Sequence, residues 1–394
     1  MFQSALALST GYLLVLLWAA RTAMHAPARQ VTQTDRLRFV VLVPAHDEQN
    51  GIADAVGSVG ACDYLADAVR TVVIADNCSD ATADCARRAG VEVWERMDPI
   101  KRGKGFALVW ALERLYAEAE AFDAVVILDA DCHASPNMLS AMDERLRSGA
   151  TAVQVNYVAA NPDASSASAL RFAGFALTNT VRFLGKQRLG MSCGLGGTGM
   201  AFTKDILERE PWAATGLVED AEYHMRLVQV GERSEFVPDA WVSSAVPTSL
   251  KGSSDQQARW EQGKLQVIRR WSPKLILTGL AKRDMVRVHA GLEWLVPPQS
   301  LIAAGSAGSA LAGLLLSSKR LVWIATATLG TQAIYVLAGL RLVRAPLQVY
   351  RALLMSPVLI AGKVALYARL FGGKGPTSWV RTEREMPVSN NGSR

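Results

Sequence analysis

Apolar and polar positions divide this chain into a periodic middle flanked by unbroken apolar runs. Residues 5–20 are uncharged and mostly apolar, near the short limit of the about 17–25 residues that a spanning helix needs. Met1 to Ser4 carry no basic side chain of the kind a secretory signal wants, and Arg21, His25 and Arg29 follow the run instead. The predicted element is an uncleaved anchor, amino terminus outside and the next domain in the cytoplasm. Residues 295–316, entered through Pro297 and Pro298, and residues 321–340, which carry no charge, are each predicted to cross about 30 Å of hydrocarbon. Residues 352–370 contain Lys363, Arg369 and Pro357 and have basic residues on both flanks: Arg341, Arg344 and Arg351 before, Lys374, Arg381 and Arg384 after. An interfacial helix keeps both flanks on one side, and that is the expectation.

The middle alternates short β-branched runs with helix-like stretches. Strands are predicted at 38–43, 71–75, 91–94, 124–128 and 151–158. Helices are predicted at 52–62, 80–89, 106–119 and 136–147. Such alternation predicts an α/β domain with a mostly parallel sheet and right-handed crossovers. The expected organisation is an anchor at 1–30, a catalytic domain at 31–275, and an interfacial and transmembrane region with a basic tail at 276–394.

Composition agrees with a globular domain joined to membrane segments, since half of the residues are apolar. The formal net charge is +6, but the basic residues form no single stripe of the kind nucleic acid needs. Many sit beside apolar runs, the pattern of the positive-inside rule. Cys62, Cys78, Cys85, Cys132 and Cys193 are odd in number and lack zinc spacing, so reduced thiols in a cytosolic domain are expected.

Parallel sheets bind ligands beyond the carboxyl ends of their strands. Here those ends carry Pro44-Ala45-His46-Asp47-Glu48, Asp76-Asn77-Cys78-Ser79-Asp80 and Asp129-Ala130-Asp131. Carboxylates crowded on one edge repel, and a cation relieves them; oxygen ligands suit Mg²⁺ or Mn²⁺. Glu219-Asp220 open a helical pattern, where acids serve as caps or as a general base. Gln256 and Arg259 share a helix face, Arg259 can hold a diphosphate, and Trp260 can wall a sugar channel. Lys101-Arg102-Gly103-Lys104-Gly105 opens a helix, an anion site without P-loop spacing, so Lys104 is a candidate donor contact beside the reading of a solvated basic turn. Gly194 to Gly199 either admit backbone close to a sugar or form a flexible turn. No Ser-His or Cys-His pairing is seen, and His46, His133 and His224 read as structural or surface residues.

Taken in order, Pro44-Ala45-x-x-Glu48, Asp76 with Asp80, Asp129-x-Asp131, Glu219-Asp220 and Gln256-x-x-Arg259-Trp260 resemble the family 2 inverting glycosyltransferases of GT-A fold. The Gln-x-x-Arg-Trp element resembles in particular the membrane-embedded polysaccharide synthases, including cellulose, chitin and hyaluronan synthases. The apolar hairpin and the tail at 379–384 also look like bacterial members. The resemblance covers residues 38 to about 271. It implies a nucleotide-sugar donor contacted by Pro44, Glu48, Asp76, Asp129, Gln256, Arg259 and Trp260, to which the helix-start pattern adds Lys104 as a candidate. It implies a metal on Asp129 and Asp131, and a base at Asp220 with Glu219 beside it. Two positions depart from the family pattern: the common Asn before Glu48 is Asp47, and the second strand ends in Asp76-Asn77-Cys78-Ser79-Asp80.

The expected function is inverting transfer from a nucleotide sugar, UDP-linked by resemblance, to a glycan or lipid-linked acceptor in exopolysaccharide or cell-envelope synthesis. The expected location is the inner membrane, multi-pass, with membrane lipid but no nucleic acid as partner. Three or four membrane segments are few for a polymer channel, so a homo-oligomer or secretion partner belongs to that reading. Transfer to a polyprenyl phosphate competes, and would have less need of Asp220 as base. A silent scaffold or nucleotide sensor competes from another class, against the presence of every acid. A nucleotidyltransferase gives no role to Glu219-Asp220 or Trp260.

Overall fold

The computed structural model describes residues 1–23, 36–118, 120–249 and 254–372. His25, Arg29, Lys374, Arg381, Arg384 and the 379–384 tail lie outside the described residues. Eight strands form one sheet: β1 Phe39–Ala45, β2 Val69–Asp76, β3 Glu92–Arg96, β4 Ala124–Ile127, β5 Cys132–Ala134, β6 Ala152–Ala159, β7 Met200–Thr203 and β8 Ser234–Ser244. Their order is β3-β2-β1-β4-β7-β6-β8-β5. The half built from β1 to β4 is parallel, with Phe39 opposite Val69 and Ala124. The other half is mixed: β7 runs antiparallel to both β4 and β6, and β5 antiparallel to β8. The expected mostly parallel sheet is corrected to that extent. β7 follows a helical excursion and a glycine-rich segment, and its four residues give little pattern to read.

Helices α2 Ile52–Gly60, α3 Thr82–Arg88, α4 Lys104–Ala117 and α5 Met138–Arg147 connect the parallel strands and cover the sheet. Side chains of β1 alternate between two cores, as strand geometry requires. Val41 and Val43 join Leu139 and Met142 on one face. Val40 and Leu42 join Leu108, Leu112 and Trp94 on the other.

The second half of the chain is largely helical. α6 Ser166–Phe175 passes through a π-helical segment, Ala176–Arg182, into α7 Phe183–Arg188. After α8 Lys204–Arg209 come α9 Glu219–Val230, the long α10 Ser254–Lys282, α11 Met285–Glu293, α12 Gln299–Leu315, α13 Lys319–Leu342, α14 Leu347–Ala352 and α15 Ser356–Phe371. α1 Phe2–Ala23 returns from the other end of the chain to this group. Leu6, Leu13 and Leu17 of α1 are buried with Leu177, Val181 and Tyr335.

Three stretches have the length and composition to cross a membrane: Phe2–Ala23, Lys319–Leu342 and Leu347–Phe371. The stretch at 295–316 does not become such a helix. Pro297 and Pro298 cannot donate backbone hydrogen bonds and delay its start to Gln299, which leaves 17 residues. That is about 25 Å, the short end of the spanning range, and α12 runs antiparallel beside α13, with Gln299 bonded to Gln332. The stretch at 352–370, expected at the interface, lies within one long enough to span; its Lys363 is bonded to Glu261 of α10.

α1 and the sheet domain meet without a gap. A Cβ on Gly185 of α7 would stand 2.3 Å from the carbonyl oxygen of Leu16. Gly185→Ala is therefore expected to cost roughly 1–3 kcal/mol through overpacking against rigid backbone. Gly174→Ala in α6, where a Cβ meets nothing within 4 Å, serves as the control and should be neutral or mildly stabilising. Thermal unfolding of the two variants side by side in one detergent measures the difference.

Candidate active site

The carboxyl ends of β1, β2 and β4 open on a cavity of about 2850 Å³. The chain leaves β4 as Asp129-Ala130-Asp131 before the short β5. Asp129 and Asp131 bring their carboxylates, with the Cys132 thiol, within 4.8 Å of one another. The backbone amide of Asp129 donates to Thr198 Oγ1 at 3.0 Å, which fixes the strand end against the glycine loop.

Lys104, the first residue of α4, is the centre of the charge network. Its Nζ bonds Asp129, donates to the Gly197 carbonyl at 2.5 Å and lies 3.8 Å from Glu219 Oε1. Of the two readings left open by the sequence, the solvated turn is ruled out, because this side chain points into the cluster. α4 can start so close because residue 105 is glycine: a Cβ there would stand 2.5 Å from the Ala214 carbonyl.

Glu219 and Asp220 open α9 beside these groups. Burial and the neighbouring Asp220 and Asp129 push Glu219 up to about 7 against the pull of Lys104. Burial raises Asp220 as well, and Asp129 adds to the rise. Burial is the main cause in both, and the acids beside them add to it while Lys104 pulls the other way. Hard oxygen donors crowded in this way fit a divalent cation such as Mg²⁺ or Mn²⁺. Cys132 adds little, because burial pushes its thiol well above the ordinary value and keeps it protonated.

The glycine run belongs to the site. Gly197, at φ +84°, passes so close that a Cβ would lie 3.4 Å from Asp220 Oδ2 and 3.8 Å from Lys104 Nζ. Gly199, at φ +64°, leaves no room for a side chain between Val155 and Val242.

At the first two strand ends the polar residues hold one another. Asp76 is buried and receives Arg96 Nη1 at 2.5 Å. Arg96 also reaches Asp98 and the Lys101 carbonyl, so it ties β2 to the loop that delivers Lys104. His46 Nδ1 bonds the Asp76 carbonyl oxygen at 2.8 Å, and the amide of Glu48 donates to Thr82 Oγ1 at 2.7 Å. Asp47 accepts from the Ser79 amide at 2.6 Å, the Ser79 hydroxyl at 3.1 Å and the Asp80 amide at 3.3 Å. Those bonds hold its carboxyl below the ordinary range in spite of burial. Asp47 therefore acts as a staple between two loops, at φ 55°. Pro44, Glu48 and Asp76 all line the cavity.

α10 closes the opposite wall with Arg259, buried, and Trp260, 37% exposed. Gly263 sets that approach: a Cβ on it would lie 2.7 Å from Val218, the residue before Glu219. Arg270 of α10 also bonds Glu222 of α9 at 3.2 Å. Gln256 lies in α10, and its side chain is outside the described residues. His224 is buried, bonds Ser192 Oγ at 2.7 Å and is driven down to about 3 by burial, so it is a neutral structural residue. All five cysteines are free.

The sequence reading missed Arg96, Thr198 and a second ionic group, Arg182, Lys186 and Glu293, on the same cavity. None stands in a motif; Arg96 ends a strand and the others lie on helices or in the glycine loop. A basic residue ending a strand next to an acid-tipped one is the only signal for Arg96.

The chain is similar to known proteins. YdaM of Bacillus subtilis (strain 168), a probable glycosyltransferase, is 26% identical over 247 residues, 58% of this chain and 55% of its own. The chain thus spans about half the length of that curated relative. Mannosyltransferase PcManGT from Pyrobaculum calidifontis, solved with GDP-Man and Mn²⁺, is 22% identical with a TM-score of 0.56, over 86% of this chain and 97% of that one. That likeness shows the GT-A fold. Glucosyl-3-phosphoglycerate synthase from Mycobacterium tuberculosis, solved with Mn²⁺, UDP and phosphoglyceric acid, is 20% identical with a TM-score of 0.41, over 59% and 83% of the two chains. Residues 36–263 match the family described as Glycosyltransferase like family 2, and by that match over more than half its length the chain belongs to this family.

Proposed function

We propose that the protein is a membrane-bound inverting glycosyltransferase that moves a sugar from a nucleoside diphosphate to an acceptor hydroxyl on a glycan or lipid-linked molecule. The observation that carries this reading is the convergence of Asp129, Asp131, Glu219 and Asp220 around Lys104, opposite Arg259 and Trp260, in one cavity. The GDP-Man and Mn²⁺ complex of the mannosyltransferase fold relative supports a nucleotide sugar and a divalent ion as the ligands.

Each residue has a task in that reaction. Pro44, Glu48 and Asp76 form the pocket for the nucleoside, with Arg96 holding Asp76 in place. Asp129 and Asp131 would hold Mg²⁺ or Mn²⁺, which when bound offsets charge on the donor diphosphate. Lys104 and Arg259 place fixed positive charge near the leaving phosphate oxygens. Trp260 offers a flat apolar wall to the sugar or acceptor. Asp220 accepts the proton of the attacking hydroxyl. The acceptor oxygen bonds to the anomeric carbon as the bond from that carbon to the diphosphate breaks. The electron pair leaves with the diphosphate. One base and no nucleophile give inversion.

We read the sheet domain as cytoplasmic, with α1 and the antiparallel pair α12 and α13 as spans, which returns the chain to the side of the sheet domain, and with α15 at the interface, where Lys363 meets Glu261. The proposed units keep their boundaries at 1–30, 31–275 and 276–394. A role in exopolysaccharide or cell-envelope synthesis fits that placement, with a homo-oligomer or secretion partner if a polymer crosses.

Release of nucleoside diphosphate from a panel of nucleotide sugars, by protein in nanodiscs with Mn²⁺ and native lipid extract, tests the reading. Asp131→Ala should abolish release together with its metal dependence. Asp220→Asn should lower it ~10²–10⁴-fold, the usual worth of a general base, while donor binding survives. Nucleotide binding without release by the wild type from any donor would reject the reading.

Glu219 gives a separate, activity-free check. Its carboxyl holds a proton from 4.5, its ordinary value, up to about 7 in the folded protein. The folded state then binds more protons than the unfolded chain in that window, so stability falls as pH rises through it. Glu219→Gln removes the penalty. Without added metal its thermal midpoint should exceed that of the wild type by roughly 2–4 °C at pH 8 and match it at pH 4.5. Equal midpoints at both pH values would contradict the charge assignment.

A further inference from the structure

The cavity extends well past the catalytic acids, and its charge changes sign along the way. Of the eight carboxylates among the described lining residues, seven stand between residues 48 and 220, around the donor end. Of the eight lining lysines and arginines, six come from residue 171 onward: Arg171, Arg182, Lys186, Arg259, Lys264 and Lys363.

Two ionic groups carry most of that positive side. Glu293 at the end of α11 receives Lys186 Nζ at 2.9 and 3.1 Å and Arg182 Nη2 at 3.3 Å. Lys186 is 1% exposed, and burial is tolerated because this carboxylate meets it. Glu261 on α10 receives Lys363 Nζ at 2.7 Å, Lys264 Nζ at 3.3 Å and the Tyr367 hydroxyl. Each carboxylate serves two cations, so each group keeps one positive charge toward the cavity. Arg182 ends the π-helical segment and Lys186 follows one turn later, a local distortion of the kind that re-aims side chains at functional sites. Lys363 interrupts an otherwise apolar run of α15, where an ionisable group is costly unless it faces a polar interior.

Beyond these cations the wall turns aliphatic. Leu329, Ala333, Val336 and Leu337 of α13 face the same space as Leu359 and Ile360 of α15. A hydrated glycan gains little from such a wall, whereas a hydrocarbon chain gains about 25 cal/mol for each Å² it buries. Polar end, cationic middle and aliphatic end therefore follow one another in a single space.

We infer that this arm of the cavity is the acceptor site, and that the acceptor is an anionic amphiphile. Its aliphatic chain lies between α13 and α15, and a phosphate-type group lies against the Glu293 and Glu261 cation groups. A head hydroxyl then reaches Asp220. The inference rests on the transferase reading for the reaction and stands apart from it for binding. In the reaction, the head hydroxyl oxygen bonds to the anomeric carbon and its proton passes to Asp220. The bond to the nucleoside diphosphate breaks with its electron pair.

Binding of radiolabelled dodecyl phosphate, below its micellar concentration, to the full chain in amphipol tests the site without turnover. Dodecyl phosphate should compete at least tenfold better than hexyl phosphate, inorganic phosphate or dodecyl maltoside. Lys264→Gln, on a side chain 44% exposed, should weaken it about tenfold, the worth of one charge-assisted contact. Ala333→Trp should remove the advantage of dodecyl over hexyl. Nucleoside diphosphate binding with Mn²⁺ should be unchanged in both variants, which shows that they fold. Equal competition by inorganic phosphate would reduce the site to a polar anion pocket, and equal competition by dodecyl maltoside to a greasy surface. Displacement by a soluble hexasaccharide would make it a glycan path. Each of these three results overturns the proposal. Dodecyl phosphate binding in a wild type that fails to bind nucleotide would reject the transferase and leave the amphiphile site standing.

Discussion

One ammonium group among four carboxylates is the interaction on which this site depends. Lys104 reaches Asp129 at the end of β4, Glu219 at the start of α9 and the carbonyl of Gly197 in the glycine loop. Three segments far apart in sequence are thereby fixed to the first residue of α4. The arrangement leaves a charge deficit. Asp129, Asp131, Glu219 and Asp220 carry four negative charges when ionised, and Lys104 supplies one positive charge. Burial raises the Glu219 and Asp220 carboxyls first, and the neighbouring acids add to that, so Glu219 keeps a proton up to about 7.

Much of this was legible in the sequence, for a physical reason. Carboxyl ends of parallel strands point at one edge, so polar clusters after apolar runs at 44–48, 76–80 and 129–131 had to converge. The parallel half of the sheet followed from the same alternation. The sequence misled where a long-range partner decides the outcome. Crowded acids at the strand ends suggested a metal, with no hint that Lys104 already neutralises part of the charge. Asp47 looked like a departure at a donor position, yet it accepts three bonds from residues 79 and 80 and serves the loop. β7 and β5 were missed because four and three residues carry no periodicity. The apolar run at 295–316 gave a shorter helix than its length suggested, because Leu295 and Val296 stand before two prolines that hold back the helix.

Small residues set the distances on which the chemistry relies. Gly105 lets α4 touch the Ala214 backbone, Gly197 lets the loop pass Asp220, and Gly263 lets α10 lie against Val218. At each point a methyl group would separate two walls of the same cavity. Gly105 meets backbone, while Gly197 and Gly263 meet the side chains of Asp220 and Val218. They leave little trace in composition, because a glycine in a helix reads only as a weakened helix former.

The same reasoning explains how α1 is joined to the sheet domain. Gly185 seats α7 on the Leu16 backbone, and the residues that follow the π-helical segment carry both sides of that junction: Phe183 and Leu184 pack toward α1 while Lys186 turns to Glu293. A shift of α1 would move Lys186 away from its carboxylate and leave two buried charges unpaired, a loss of several kcal/mol. α1 is therefore held to the catalytic half by apolar contact on one face of α7 and by charge on the other. Because α7 and α10 both line the cavity, the position of α1 is coupled to the wall on which Arg182, Lys186 and Arg259 stand.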